Sequence, residues 1–240
     1  DSFIPRRSSE GYGLSDGGLE RCLNECGKPD LMISVDCGTV SNEAIAMLKS
    51  KGIDTVVVDH HEIGPDGRPD CVALVNPKAS GHTHNYLCAA GVVFKLAHAL
   101  LKRRPLETFD LKSVLDLVAV ATISDIVPLV DENRLLVRHG LRKLENSVRP
   151  GLRALLKLTG TEGRLSSSDI GFRIGPRLNA AGRMDQPEKA LAILMTECSN
   201  KALDLADELE NFNRNRQQLE QAIFAEAMAM LKDSFNEPVI

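Results

Sequence analysis

Residues 55–64 read Thr-Val-Val-Val-Asp-His-His-Glu-Ile-Gly, and the fold is decided by how this stretch is read. Three consecutive valines indicate a strand buried in a parallel sheet. The run breaks at Asp59, His60 and His61 into a loop holding Gly64, Pro65, Asp66 and Gly67. A carboxylate and two imidazoles are thereby delivered to the carboxyl edge of a sheet, where open α/β folds place their chemistry. A lone histidine in such a position is usually a solvated or core hydrogen-bonding group. A titratable triplet marks a site.

On the N-terminal side the pattern repeats. Residues 31–35 read as a second buried strand and end in Asp36-Cys37-Gly38-Thr39. A helix over 41–51 follows, with Ala44, Ile45 and Leu48 at helical spacing and Gly52 as its stop. Strand, helix and strand with connections this short make a right-handed parallel βαβ unit the default. Asp36 then lies beside the Asp59–His61 cluster. Further upstream, residues 3–14 read as the tail of a strand running into a glycine-rich loop. Arg6 and Arg7 with Gly11 and Gly13 suit an oxyanion, and a solvated turn explains them equally well. A helix is predicted over 15–26.

On the C-terminal side a third strand is predicted over 71–75, followed by Asn76-Pro77 and a polar loop with His82, His84 and Asn85. The His-x-His pair has no carboxylate nearby in sequence and is not read as a ligand site. A helix begins at Ala89 and runs to Arg103. Another, over 112–122, is almost wholly apolar and so buried on most sides, with Asp116 inside it as a structural group. It delivers Asp125, the third acid at an element's tip. Helices follow over 133–145, where Arg134, Arg138 and Arg142 form a solvated face, and over 151–159. In residues 170–184, Gly171, Gly175 and Gly182 argue against a plain helix. Arg173, Arg177 and Arg183, with Asn179 between them, suit the approach of a phosphodiester, whereas the competing reading is a tight crossing whose glycines permit packing. Residues 200–232 read as one long helix with a single apolar stripe, of the kind that bridges two bodies or pairs as a coiled coil. The expected architecture is α/β. A mostly parallel sheet flanked by helices, then helical segments, occupies residues 1–195, and a connector helix fills 196–240.

Composition narrows the classes. The chain of 240 residues is long enough for one large domain or a domain and a half, and 43% hydrophobic with 26% charged residues is ordinary for a soluble globular protein. No apolar run approaches the roughly 20 residues that span a bilayer. The first residues lack a signal-peptide pattern, which weighs little because the chain does not begin with Met. The six cysteines are scattered with no Cys-x-x-Cys pair, so they read as reduced thiols of a cytoplasmic protein. A net charge of −4 means that any nucleic-acid footprint must be local. There is no Gly-x-Ser-x-Gly elbow, no phosphate-binding Gly-x-x-x-x-Gly-Lys-Ser/Thr loop and no strand-linked Gly-x-Gly-x-x-Gly. Asp36, His60 and Asp125 offer hard oxygens and an imidazole, a set suited to Mn²⁺ or Mg²⁺ rather than structural zinc. Two such ions about 3.5–4 Å apart activate water for in-line attack on phosphorus, with Asp36 as the candidate bridging carboxylate.

Asp59-His60-His61 after a valine strand resembles the signature of the DHH phosphoesterase superfamily. Ile4-Pro5-Arg6-Arg7 with Gly11-Tyr12-Gly13-Leu14, Val35-Asp36-Cys37-Gly38, the run from Ala121 to Leu129 and the run Gly175-Pro176-Arg177-Leu178-Asn179-Ala180-Ala181-Gly182-Arg183 are similar to its branch of bacterial single-stranded-DNA-specific exonucleases. The resemblance implies a 5′→3′ exonuclease of recombination and repair, dependent on Mn²⁺ or Mg²⁺ at a two-metal site. It implies Asp36, His60 and Asp125 as metal ligands and His61 facing the scissile phosphate. Asp59 would orient the cluster, making His61, Asp36 and Asp59 the catalytic set. Arg7 would hold the 5′-phosphate, and Arg177, Asn179 and Arg183 would meet the DNA backbone. The implied partners are single-stranded DNA, single-strand-binding protein and helicases, for a cytoplasmic monomer. One departure stands out: the family's acidic first strand has no counterpart before Asp1. The expectation is therefore a truncated core, weakly active or inactive by itself. Two alternatives remain, a phosphodiesterase or pyrophosphatase acting on small nucleotides and an inactive replication scaffold. The extended Gly175–Arg183 track disfavours the first, and the presence of Asp36, His60, His61 and Asp125 disfavours the second. The acidic net charge is reconciled by a narrow basic groove from Arg7 to Arg183, which predicts salt-sensitive binding.

Overall fold

Three strands, β1 (Leu31–Val35), β2 (Asp54–Val58) and β3 (Ala73–Val75), pair in parallel in the order β1-β2-β3. The structure is a computed structural model that describes residues 1–234 apart from 82, 84 and 162. The His82/His84 pair therefore lies outside the described residues. Val35 lies opposite Val58, and Val58 opposite Val75. The ladder runs one step further: the Asp36 amide donates to the Val58 carbonyl at 3.0 Å and the Asp59 amide to that of Val75 at 3.1 Å. Asp36, Asp59 and Asn76 thus follow directly on one rung, at the carboxyl edge of the sheet.

β2 is central and buries Thr55, Val57 and Val58. β1 differs from the expected buried strand, because Leu31, Ile33 and Val35 are all exposed and only Ser34 is buried. It is an edge strand whose alternate side chains face outward, where no element among the described residues covers them. That face borders a cavity of about 620 Å³ lined in part by Phe3, Ile4, Leu31, Ile33 and Val35.

Helices close the remaining sides. α1 (Arg7–Glu10) replaces the strand tail and open loop expected over 3–14. Its short turn is held by Glu10, whose carboxylate accepts from the Arg6 amide at 2.8 Å and from the Arg21 guanidinium. α2 (Asp16–Cys26) is capped by the Ser15 hydroxyl, which accepts from the Gly18 amide. α3 (Asn42–Ser50) links β1 to β2 and packs Ala44 and Leu48 against Leu19 and Ile53. On the other side α4 (Ala89–Arg103) brings Val92 to Val58 and Leu87.

The C-terminal half is a helical body around Leu144, Leu152, Leu155, Ile170, Ile174, Ile193 and Leu209. Each such side chain contributes roughly 1.5–3 kcal/mol on burial. α5 (Leu115–Ser124) follows a 3₁₀ turn (Leu111–Val114) and crosses α6 (Asp131–Glu145) at Gly140, where a Cβ would sit 2.3 Å from the Leu115 carbonyl oxygen. Only glycine fits there. α7 (Pro150–Leu158) comes next. Residues 167–183 are helical but not one plain α-helix: α8 (Ser167–Asp169) carries a Ser166/Asp169 capping box, a π turn spans Ile170–Ile174, and α9 (Gly175–Arg183) continues. Pro176 has no amide to donate, and the wider π turn before it, with the Gly175 amide bonded to the Ile170 carbonyl, lets the helix run on. α10 (Pro187–Met195), unforeseen in the sequence, precedes α11 (Ser199–Ser234). α11 buries Ala202, Leu205, Ala206, Leu209 and Asn213, so core packing reaches past residue 195, while Leu219, Ile223 and Phe224 further along are exposed. No described helix is long and apolar enough to cross a membrane.

Candidate metal centre and adjoining groove

The turn out of β1 puts Asp36 at φ 64°, a left-handed conformation that Asp tolerates better than most residues. Its Oδ1 lies 3.3 Å from His60 Nε2, and Asp125 Oδ2, just past the end of α5, lies 3.5 Å from the same nitrogen. The His60 side chain is only 12% exposed. Three groups distant in sequence thus converge. Ligands of an octahedral ion at 2.0–2.1 Å stand about 3 Å apart, and each of the two carboxylate oxygens is close to that distance from the imidazole nitrogen. Hard oxygens and one imidazole fit Mn²⁺ or Mg²⁺. Asp36, Asp59, His60 and His61 also each offer one ligand atom within 4.8 Å of the others.

The electrostatics favour positive charge at this point. His60 is raised above the usual histidine value, first by its hydrogen bond to Asp36, against burial, and then by the Asp125 and Asp36 charges. Asp125 is raised by burial, with the Asp36 charge adding to it and His60 opposing.

Asp59 lies behind the cluster and is 1% exposed. Its Oδ2 accepts from the Thr39 amide at 3.0 Å, and its Oδ1 accepts from the His60 amide at 2.8 Å and lies 2.7 Å from His61 Nδ1. Burial pushes its pKa up, but the hydrogen bonds from Thr39, His61 and His60 outweigh that and bring it down to about 2. A group ionised in this way only accepts, so His61 Nδ1 carries the proton and Nε2 is left free. Asn76, 2% exposed, closes the network: its Nδ2 donates to Thr39 Oγ1 at 3.0 Å and to the His61 carbonyl at 2.9 Å. Sequence reading passed over Asn76 and Thr39. The available signal was a polar residue at the tip of β3, the position that Asp36 and Asp59 hold on β1 and β2. Lys78 was also missed; it pairs with Glu62 at 2.9 Å, and its charge acts to lower the Asp125 pKa.

The four proposed nucleic-acid contacts have different surroundings. Arg7 is exposed and stacks on Tyr12 with its guanidinium carbon 4.9 Å from the ring centroid. The Tyr12 hydroxyl is pushed up by burial and then by the Asp36 charge, which sets this pair close to the centre. The arm is tied to the far end of α9, because the Ser8 amide and hydroxyl both donate to Asp185 Oδ1, at 2.8 and 2.9 Å. Arg177 is held by Glu210 of α11 at 2.6 Å and donates to the Arg173 carbonyl at 2.7 Å, so it locks α9 to α11. Asn179 and Arg183 instead face a groove of about 430 Å³ that also contains Ser124 and Ile126, the two neighbours of Asp125. At Gly175 a Cβ would stand 2.6 Å from Ser124 Oγ, so this glycine does permit close packing; at Gly182 a Cβ would meet nothing within 4 Å among the described residues.

Residues 1–122 match the model of the DHH family, N-terminal domain. The chain is 41% identical over 235 residues to the single-stranded-DNA-specific exonuclease RecJ of Bacillus subtilis, covering 97% of this chain and 29% of that protein. A crystal structure of exonuclease RecJ bound to manganese superposes with a TM-score of 0.84 at 36% identity, over 95% of this chain and 57% of that one. RecJ of Thermus thermophilus in complex with Mn²⁺ gives 0.77 at 35% identity, over 87% of this chain and 31% of that one. The same protein in complex with Mg²⁺ gives 0.67 at 33% identity, over 87% of this chain and 30% of that one. The chain therefore spans well under half the length of the curated relative it matches. The strand-tip acids, the Asp-His-His triplet and the family match lead to one conclusion: this chain belongs to the DHH family.

Proposed function

We propose that the chain carries the catalytic core of a metal-dependent 5′→3′ exonuclease acting on single-stranded DNA. The observation that carries this reading is the convergence of Asp36 Oδ1 and Asp125 Oδ2 on His60 Nε2 at the carboxyl edge of a parallel sheet. The RecJ relatives, with Mn²⁺ or Mg²⁺ in their structures, support the activity and the ion. The 5′→3′ direction, a place in recombination and repair, a cytoplasmic monomer, and partnership with single-strand-binding protein and helicases rest on that likeness.

Asp36, His60 and Asp125 would hold the ion, with Asp36 presenting its second oxygen toward a neighbouring one. The chemistry supplied there is activation of water and neutralisation of charge on the phosphoryl oxygens. Asp59 keeps His61 Nδ1 protonated and fixes the ring. His61 Nε2, on a side chain 43% exposed, is then the ring nitrogen open to substrate, to accept a proton there or, when it carries one, to donate to a phosphate oxygen. Arg7 meets the 5′-phosphate, and Arg177, Asn179 and Arg183 meet the backbone of the strand. Arg177 does so while sharing its guanidinium with Glu210.

The test, made on the full-length protein, is nucleotide release from 5′-phosphorylated single-stranded DNA, with duplex DNA and a dinucleotide as competing substrates, across an Mn²⁺ titration. Mn²⁺-dependent release from single strands that His60→Ala abolishes is the expected result. Preference for the dinucleotide would point to the small-nucleotide phosphodiesterases. An Mn²⁺ titration that leaves both binding and release flat would sink the nuclease reading.

A further inference from the structure

The groove beside the metal centre contains Ile126, Phe172 and Arg216, which the reading so far leaves without work. Ile126 is β-branched, yet it sits at φ 58° and is 89% exposed. A β-branched residue in that conformation is strained, and such strain persists where surrounding structure imposes it, most often at functional sites. Phe172, within the π turn, is 81% exposed. The two line the same cavity with Ser124, Asn179, Arg183 and Arg216. Both hydrophobic side chains project into solvent, where burial would have favoured withdrawing them.

Two buried polar atoms of this groove are also unsatisfied. Among the described residues, Ser124 Oγ and Arg216 Nε are buried without a hydrogen-bond partner. Arg183 forms no side-chain hydrogen bond or ion pair among the described residues, although the protein carries a net charge of −4 and has acids to spare. Arg216 reaches the groove from α11, steadied by Glu220 at 2.8 Å and by Asn213 at 3.4 Å. Guanidinium groups with free donors suit phosphate, and an exposed aromatic ring suits the face of a base. A volume near 430 Å³ lies at the small end of ligand pockets, which suits one nucleotide rather than a longer segment.

We infer that this groove seats a single nucleotide of the strand, adjacent to the phosphodiester held at the metal centre. Its base packs on Phe172 and Ile126, and its phosphate lies between Arg183 and Arg216. The inference rests on the nuclease reading and deepens it. Because every base has a π-face, the seat takes all four bases alike. Asp125 ties the two regions together, since Ser124 and Ile126, its immediate neighbours, are part of the groove wall.

The experiment uses the full-length protein and 5′-phosphorylated strands carrying 2-aminopurine at successive positions from the 5′ end, with Ca²⁺ in place of Mn²⁺ to prevent turnover. One position should change its emission on binding, and Phe172→Ala should abolish that change while weakening affinity about tenfold. Phe172 is exposed, so its removal does not threaten the fold. Arg183→Gln should flatten the dependence of log affinity on log salt by about 0.7, the value of one phosphate contact on a single strand. Probe signals that Phe172→Ala leaves unchanged at every position would overturn the seat while leaving the nuclease reading intact. If no strand binds the unsubstituted protein under any salt condition, the seat and the nuclease reading fall together.

Discussion

The strand-edge cluster and the groove beside it meet at Asp125 and differ in how their polar groups are satisfied. At the edge, Asp59, Thr39, Asn76 and the His61 backbone hydrogen-bond one another until almost no donor is left over. In the groove, Ser124 and Arg216 hold buried atoms with no partner among the described residues, and Arg183 stands alone there too. A buried network satisfied from within is preorganised, since its geometry does not wait for a ligand. Unsatisfied groups beside exposed apolar ones carry a cost that a ligand can remove. One region is thus arranged to hold a fixed chemical geometry, and the other keeps hydrogen-bonding capacity unused.

The largest effect should come from opening the closed region. Asn76→Ala removes the donor shared by Thr39 and the His61 carbonyl, and residues of this supporting kind typically contribute 10- to 100-fold in metal affinity or activity. Mn²⁺ titration and turnover of the variant should both show a loss in that range. An unchanged Mn²⁺ titration would separate Asn76 from the centre and leave it a packing residue.

Gly175→Ala attacks the seam between the regions. The added Cβ would lie 2.6 Å from Ser124 Oγ and 3.2 Å from the Ile170 carbonyl oxygen, and overpacking of this kind costs about 1–3 kcal/mol. Thermal unfolding should show the loss. Adding Ser124→Ala should recover part of it, because that hydroxyl has no hydrogen bond among the described residues to forfeit.

Acid should loosen the arm that carries Arg7 and Tyr12. Glu10 lies below its ordinary value of 4.5, chiefly because of the hydrogen bond from Arg21. A carboxylate depressed on folding contributes stability that is complete above its unfolded pKa and is lost as pH falls through the folded one. The contribution, on the order of 1 kcal/mol, should therefore disappear below about pH 4.5. In Glu10→Gln the stability curve should be flatter through this interval, as read by denaturant unfolding at each pH.

The smallest effect is expected on the open side. Gly182 lies inside α9 with nothing described within 4 Å of its missing Cβ, so Gly182→Ala should stabilise the helix by up to about 1 kcal/mol. A gain in Tm of about 2–4 °C would match that figure. Weaker strand binding by the same variant would indicate that DNA passes close over this position.

The parallel sheet was legible because Val56, Val57 and Val58, like the apolar run before Asp36, carry their own signature, and short helical connections leave few topologies. Most helices were legible from apolar spacing. The path through residues 170–183 was legible only as two competing readings, because a local reading of three glycines does not say which of them faces Ser124 across a helix crossing. Acids at strand tips could be picked out from what precedes each of them. Asn76 carried the same positional signal at the tip of β3, but its bonds to Thr39 and the His61 carbonyl depend on a register between strands that no single strand encodes.

By itself the amino-acid sequence determined the elements and the chemical types at their ends: apolar runs, each ending in polar or charged groups. Only the tertiary structure decided which of those ends share a rung, that Asp125 closes on His60 from a helix rather than a strand, and that Arg177 is pinned to Glu210 while Arg183 has no such partner among the described residues. The reason is one of range. Strand and helix signals act over a few neighbouring residues, whereas the partner of a charged side chain is set by packing between segments as far apart as Ser8 and Asp185, 177 residues.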